Sequence, residues 1–245
     1  MEEKITELAR RIGQAKKIVV LSGAGLSAES GIPTFRGADG LWQKYNIFEI
    51  ATPEAFERDP EMVWGFYNQR RTDALACEPN PAHYALRELE ELVPDFLHIT
   101  QNVDNLAQRV GMKNILELHG NLFATRCSQC DSPHPHLDGI VPFPTHCQRC
   151  GALVRPGVVW FGESVNKIGE AAHALRACQV FLVIGTSAQV QPAASLALLA
   201  KQQNAYVAEF NVEETDLSDT LDLLVLGPAG ETLPRLIDRL KQHAR

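Results

Sequence analysis

Six short apolar runs recur along the chain: Ile18-Val19-Val20-Leu21, Phe96-Leu97-His98-Ile99-Thr100, Ile115-Leu116-Glu117-Leu118, Val180-Phe181-Leu182-Val183-Ile184, Ala205-Tyr206-Val207-Ala208-Glu209-Phe210 and Leu223-Leu224-Val225-Leu226. Stretches with helical character fall between many of them, at 81–92, 103–111, 168–177, 192–203 and 231–243. Residues 2–15 add an amphipathic helix with Ile5, Leu8, Ala9 and Ile12 on one face. Runs that are apolar at nearly every position suit strands buried on both faces. Strand–helix alternation of this kind predicts an α/β fold, an open parallel sheet with helices on both faces.

Two segments interrupt the rhythm. Residues 38–79, rich in aromatics and proline, predict loop and short helices over the sheet. Residues 126–155 carry four cysteines, four prolines and three histidines with little helical periodicity. Both read as insertions, leaving a Rossmann-like body of about residues 1–37, 80–125 and 156–245. The formal net charge of −7 argues against direct nucleic-acid binding but not against a basic peptide partner. The N-terminus lacks the cationic start and apolar run of a signal peptide, and no apolar stretch approaches the ~20 residues of a membrane span. A reducing, cytoplasmic setting is expected, with the six cysteines unpaired.

Gly23-Ala24-Gly25-Leu26-Ser27-Ala28 follows the first run and fits G-x-G-x-x-G/A in its strand–turn–helix context. There the missing side chains let a pyrophosphate reach backbone amides, although small residues also let strands and helices pack closely. A hydride-transferring enzyme usually carries an acidic residue about 20 positions on, closing its second strand. Here that region reads Gly40-Leu41-Trp42-Gln43-Lys44-Tyr45, with no such acid. A dinucleotide site of another kind is expected.

Cys127-x-x-Cys130 and Cys147-x-x-Cys150, sixteen residues apart, have the spacing of a four-thiolate zinc ribbon. Disulfides fit the compartment poorly, and a redox dithiol fits poorly with both pairs in one turn-rich insert. His134, His136 or His146 could replace a cysteine, but four thiolates already fill a tetrahedral shell. A closed shell leaves no place for water, so one structural Zn2+ is expected. Cys77 and Cys178 read as small buried hydrophobes.

Gly23-Ala24-Gly25-Leu26-Ser27 with Gly31-Ile32-Pro33-Thr34-Phe35-Arg36-Gly37 closely resembles the first signature of the sirtuins. Thr100-Gln101-Asn102-Val103-Asp104 resembles the second, His119-Gly120 the third and Gly185-Thr186-Ser187-Ala188-Gln189-Val190-Gln191-Pro192 the fourth, in the family's order and with the cysteine insert in its place. The resemblance implies an NAD-consuming lysine deacylase. The acyl oxygen attacks the anomeric carbon of the nicotinamide ribose, nicotinamide leaves, and the acyl group passes to ADP-ribose. His119 is implied as general base on a ribose hydroxyl, a task suited to an imidazole with an ordinary pKa near 6.5; a lone strand-end histidine would otherwise read as structural.

Asn102 and Asp104 are implied at the nicotinamide pocket, where an amide and a carboxylate match a carboxamide; Asp104 would serve equally as a helix cap. Phe35 is implied to shield the reactive ribose and Arg36 to meet phosphate, with Trp42 and Gln101 also on the cofactor side. Gly185, Thr186 and Ser187 should meet ribose or phosphate. Asn211-Val212-Glu213 and Ala229 resemble the adenosine-binding edges, or else are ordinary strand-end loops. Val158-Val159-Trp160-Phe161-Gly162-Glu163 corresponds to the peptide-clamping strand, with Val159, Phe161 and Gly162 as substrate contacts through β-augmentation.

Tyr67 and Arg70, three apart, share a helical face. By spacing alone they read as a packed tyrosine beside a snorkelling arginine. The pair resembles that of the desuccinylase-like branch, which implies a planar fork and a phenol gripping an acyl carboxylate, succinyl or malonyl, with acetyl-lysine also accepted. Small Ala51 would leave room for the longer chain. The competing readings are a zinc-ribbon binding module, which leaves the glycine turn unexplained, and an NAD-dependent oxidoreductase, which lacks its acidic residue. ADP-ribosyl transfer to protein would use the same NAD site.

Overall fold

The computed structural model describes residues 1–34, 40–41, 45–134 and 139–243. Phe35, Arg36, Trp42 and His136 lie outside the described residues. All six apolar runs become strands of one sheet: β1 (Lys17–Ser22), β2 (Asp95–Thr100), β3 (Ile115–Glu117), β7 (Val180–Ile184), β8 (Tyr206–Asn211) and β9 (Leu223–Leu226). Their order is β3-β2-β1-β7-β8-β9, and every neighbouring pair is parallel.

The alternation of the pleat explains why the runs are apolar throughout. Ile18 and Val20 of β1 enter one core layer, with Leu182, Ile184 and Phe210, while Val19 and Leu21 enter the other, with Phe181, Val183 and Val207. The first layer is closed by α1 (Glu2–Gln14), α6 (Pro81–Leu92) and α10 (Ala229–His243), through residues such as Leu8, Leu86 and Leu236. The second is closed by α8 (Ile168–Ala174) and α9 (Ser195–Gln202), through Ala171 and Leu196. α1 buries Ile5, Leu8, Ala9 and Ile12, the face its spacing predicts.

Two local expectations need correction. The helix expected over 103–111 shrinks to α7 (Leu106–Arg109), because Asn105 takes a left-handed φ of 63° before it and Gly111 one of 83° after it. The segment expected to hold loop and short helices has the short helices α3 (Ile47–Ile50) and α4 (Pro53–Arg58), but also the 17-residue α5 (Pro60–Ala76). α5 is started by Pro60 in its first turn and by the Asp59 side chain accepting from Met62 N at 3.0 Å. Val63, Trp64, Phe66, Tyr67, Arg71 and Ala74 are all buried on one side of the axis, but the charged Arg71 sits among them while apolar Met62 and Leu75 are exposed, so hydrophobicity alone draws no clean stripe.

What covers α5 is a second, antiparallel sheet, β5-β4-β6, from β4 (Gly120–Cys127), β5 (Pro133–His134) and β6 (Val154–Val158). A third core cluster fills this interface with Trp64, Tyr67, Phe123, Val158 and Trp160. Arg71 is fully buried there; its guanidinium donates to the carbonyls of Gly139 and Leu122 and lies 5.1 Å from the Phe123 ring centre. No helix of the described residues is long and apolar enough to cross a membrane.

Candidate active site

The strand order reverses direction beside β1, so the carboxyl ends of β1, β2 and β7 open a crevice of the kind that binds ligands in open α/β sheets. The glycine turn after β1 opens α2 (Gly25–Ala28), a single helical turn. Here the structure sharpens the role of the glycines. A Cβ on Gly23 would lie 2.8 Å from Gly185 O, one on Gly25 2.6 Å from Gly185 Cα, and one on Gly185 2.5 Å from Leu26 N. The turns after β1 and β7 therefore touch backbone to backbone, joined by Gly25 N donating to Gly185 O at 2.8 Å. Gly185 also holds a φ of 56°, which favours glycine.

Side chains knit the same edge. Gln101 Nε2 donates to Thr186 Oγ1 at 3.1 Å, and Asn211 Nδ2 donates to Thr186 O at 3.0 Å. Asn102 Nδ2 donates to the buried Ser27 Oγ at 3.1 Å. Behind them lies a polar chain that sequence reading did not find: Ser22 Oγ contacts His98 Nε2 at 2.7 Å and Thr100 Oγ1 at 3.0 Å. Burial pushes His98 down to about 3, so it stays neutral.

His119 sits between β3 and β4, at the point where the chain leaves the parallel sheet for the antiparallel one. Gly120 allows that exit, since a Cβ there would lie 2.1 Å from Gly157 O, and its φ is 76°. His119 Nδ1 lies 3.2 Å from Gln101 O. A carbonyl only accepts, so Nδ1 carries the proton and Nε2 is left as the basic nitrogen. Burial lowers the His119 pKa, and the Gln101 carbonyl opposes that shift by stabilising the charged ring.

A cavity of about 580 Å³ joins these groups. The edge at the strand ends is lined by Gly23, Ala24, Gly25, Gln101, Asn102, Gly185, Thr186 and Ser187, with Asn211, Val212 and Glu213 farther along, and His119 also faces the cavity. Ala51, Tyr67, Arg70, Val159, Phe161 and Gly162 line it as well. Among the described residues, three of the cofactor candidates stand outside this lining. Ser27 supports Asn102 as described; Asp104 is buried with Oδ1 accepting from Leu106 N at 3.0 Å; and Ala229 is buried at the start of α10 in the first core layer.

Tyr67 and Arg70 project from α5 one turn apart. Tyr67 is buried, and Trp160 Nε1 donates to its oxygen at 2.9 Å. Burial pushes the phenol up to about 12, so it keeps its proton. Burial also lowers Arg70, opposed by nearby charges including Asp104, yet a guanidinium stays cationic at neutral pH. Phe161 N donates to Ala51 O at 3.0 Å and Val159 N to His119 O at 2.9 Å, tying the stretch after β6 to both ends of the cavity. Trp160 itself, whose partnership with Tyr67 only packing reveals, was not among the sequence candidates.

The four cysteines converge at the far end of the small sheet. Their Sγ atoms lie within 4.8 Å of one another, with Cys127 to Cys150 at 3.4 Å and Cys130 to Cys147 at 3.8 Å. Four thiolates about 2.3 Å from a tetrahedral zinc stand roughly 3.8 Å apart, so the donor set fits Zn2+. Amides of Gln129 and Cys130 point at Cys127 Sγ at 3.4 Å each, and the Cys130 amide helps hold that thiol below its ordinary pKa. His146 is exposed and turns Nδ1 to Gly151 O at 3.0 Å, leaving the shell to sulfur. Cys178 is buried as expected, whereas Cys77 is only half-buried.

A family model described as the Sir2 family matches residues 23–192. The chain is 43% identical over 246 residues to an NAD-dependent protein deacylase of Pyrococcus abyssi, covering 97% of this chain and 98% of that one. It is 45% identical over 249 residues to NAD-dependent protein deacylase 1 of Archaeoglobus fulgidus, covering 100% and 98%. Among solved structures, a Sir2 homologue in complex with NAD superimposes with a TM-score of 0.91 at 43% identity, over 98% of this chain and 94% of the other. A Sir2 protein bound to a myristoylated histone peptide gives 0.78 at 32% identity, over 100% and 99%.

Proposed function

The chain belongs to the Sir2 family, the sirtuins, and on that premise we propose that it removes acyl groups from protein lysine side chains at the expense of NAD. The observation that carries the reading is the single cavity in which the three strand-end turns, His119 and the Tyr67–Arg70 pair meet. NAD, when bound, supplies the ADP-ribose to which the acyl group passes, with release of nicotinamide.

The chain's own residues do the rest. The turns at Gly23–Gly25 and Gly185–Ser187 form a rigid edge for the dinucleotide, braced by Gln101 and Thr186. Asn102, fixed by Ser27, offers an amide to the nicotinamide end. Nε2 of His119 takes a proton from a ribose hydroxyl, and burial keeps it unprotonated and ready to do so. An acylated peptide lies along residues 158–162. The amides of Val159, Trp160 and Phe161 are already given to His119 O, a Glu163 carboxylate oxygen and Ala51 O. Pairing there would therefore run from the peptide's own N–H groups to strand carbonyls, giving little side-chain selection. The cysteine insert, with Zn2+ held by Cys127, Cys130, Cys147 and Cys150, serves as a staple for the small sheet. A cytoplasmic setting suits its thiols.

Tyr67 and Arg70 extend the reading to acidic acyl groups, succinyl or malonyl, with acetyl also accepted. A guanidinium fork and a phenol that keeps its proton are complementary to a carboxylate. The test is incubation with NAD and matched acetyl- and succinyl-lysine peptides, following nicotinamide and O-acyl-ADP-ribose by mass. Release of nicotinamide without dependence on acyl peptide would overturn the deacylase reading. Arg70→Met should lower desuccinylation about 10- to 100-fold more than deacetylation, the worth of a charge-assisted hydrogen bond; equal losses refute the carboxylate clamp.

A further inference from the structure

Beneath the acyl end of the cavity lies an arrangement of three side chains that neither the nucleotide nor the base requires. The Arg155 guanidinium, on β6, lies 3.4 Å from the centre of the Trp160 ring. It is also held bidentately by Glu163, with Nη1 on Oε1 at 2.6 Å and Nη2 on Oε2 at 3.0 Å. Glu163 Oε2 accepts from the backbone amide of Trp160 at 2.7 Å, so the same carboxylate fixes both the cation and the backbone of the ring beneath it. Arg126 adds a second cation, with Nη2 3.3 Å from Glu163 Oε2. Arg155 Nη2 donates further to Val158 O at 3.0 Å. The indole is thus pinned from its backbone and from one face, while Phe56 packs against it with ring centres 5.4 Å apart.

The pinned ring has one polar atom, and that atom reaches Tyr67 Oη at 2.9 Å across a buried contact. An indole N–H can only donate. The Tyr67 oxygen must therefore accept on that side, and its own proton is turned away from the indole. Tyr67 lines the cavity beside Arg70, so a phenol proton turned away from the indole is available to a ligand there. Without the indole donor a buried phenol could rotate its proton among several directions, and part of its value to a carboxylate would be lost.

We propose that Trp160, clamped by Arg155 and Glu163, is a specificity-positioning residue that orients the Tyr67 hydroxyl as a donor to the carboxylate of an acidic acyl-lysine. The proposal rests on the reading of Tyr67 and Arg70 as the acyl-carboxylate clamp. It makes selectivity a property of the small sheet's framework as well as of α5, because Arg155 sits on the strand paired with β4.

The test compares kcat/KM for succinyl- and acetyl-lysine peptides of one sequence in four proteins: the parent chain, Tyr67→Phe, Trp160→Phe and the double variant. Trp160→Phe keeps an aromatic ring under Arg155 but removes the indole N–H together with part of the bicyclic ring, and the double variant separates the loss of the donor from the loss of packing. It should lower the succinyl-to-acetyl ratio about fivefold to tenfold, the scale of one net hydrogen bond, with the change in the succinyl KM rather than in kcat. Tyr67→Phe should lower the ratio at least as much, and Trp160→Phe should add nothing to the ratio in the Tyr67→Phe background. Independent, multiplying effects of the two substitutions overturn the proposal, as does an equal loss on both peptides for Trp160→Phe. If Tyr67→Phe leaves the ratio unchanged, the acyl-clamp reading itself fails, an outcome distinct from a response to Tyr67→Phe but none to Trp160→Phe. Glu163→Gln, which weakens the grip on Arg155 while keeping the ring and its N–H, provides a second arm should Trp160→Phe not fold. It should shift the ratio in the same direction by a smaller factor, and an unchanged ratio counts against the clamp.

Discussion

Replacing Gly185 by alanine tests the backbone contact that joins the turns after β1 and β7, the proposed nucleotide edge. The new Cβ would stand 2.5 Å from Leu26 N and 2.6 Å from Gly25 C, both main-chain atoms that cannot swing aside. The left-handed φ of 56° costs alanine about 1 kcal/mol on its own. Relieving the overlap requires separating the two turns, an overpacking strain of about 1–3 kcal/mol. Separation also stretches Gly25 N to Gly185 O and Gly185 N to Phe210 O, now 2.8 and 2.9 Å, each worth about 1 kcal/mol net. A loss of roughly 3–5 kcal/mol in stability follows, which for a chain of this size lowers Tm by about 10 °C. The assay is urea unfolding and a thermal melt, with NAD affinity measured by calorimetry below the transition. Gly13→Ala provides the contrast. Gly13 is exposed near the end of α1, a Cβ there meets nothing within 4 Å, and alanine should leave stability unchanged or raise it by up to about 1 kcal/mol. A Gly185→Ala protein that melts within 2–3 °C of the parent, about 1 kcal/mol, and binds NAD normally would refute the close-approach argument.

Other expectations follow from the same geometry. Burial holds His119 below its ordinary value, so the acid limb of kcat/KM for deacetylation should have its midpoint below about 6.5; a limb centred above that value contradicts the assignment, as does near-normal product formation by His119→Ala. Removing zinc with a strong chelator, or substituting Cys127→Ser, should lower Tm and loosen the small sheet by hydrogen exchange, with added Zn2+ restoring the chelated protein; an indifferent melt argues against a metal staple. His98, pushed down to about 3 in the fold, makes stability depend on pH: its contribution is whole above about 6.5 and is lost as pH falls toward 3, because the unfolded chain takes up a proton that the folded one refuses. The slope approaches 1.4 kcal/mol per pH unit for one proton, read by urea unfolding at pH 7 and 5. His98→Gln should reduce it, with the burial-lowered His83 and His119 supplying the remainder, and an unchanged slope would falsify the assignment.

Most of the architecture was legible because it depends on local periodicity. Each apolar run became a strand, and α1 buried the four residues its spacing selects. The cysteine pairs were equally readable, since a C-x-x-C turn brings its own thiols together. α5 was less legible. Its buried face includes the charged Arg71, while apolar Met62 and Leu75 stay exposed, so no clean apolar stripe announces it. Gly23 and Gly25 were recognisable as a motif, but their contact lies 160 residues away at Gly185, which no window of sequence contains.

Sequence alone thus determined the parallel sheet, the metal-binding insert and the family signatures, because each is written in short-range spacing. Tertiary structure decided which groups share one cavity, which nitrogen of His119 is basic, and that Trp160 holds Tyr67. Those depend on where distant strand ends and side-chain donors meet, and on how deeply they are buried once they do.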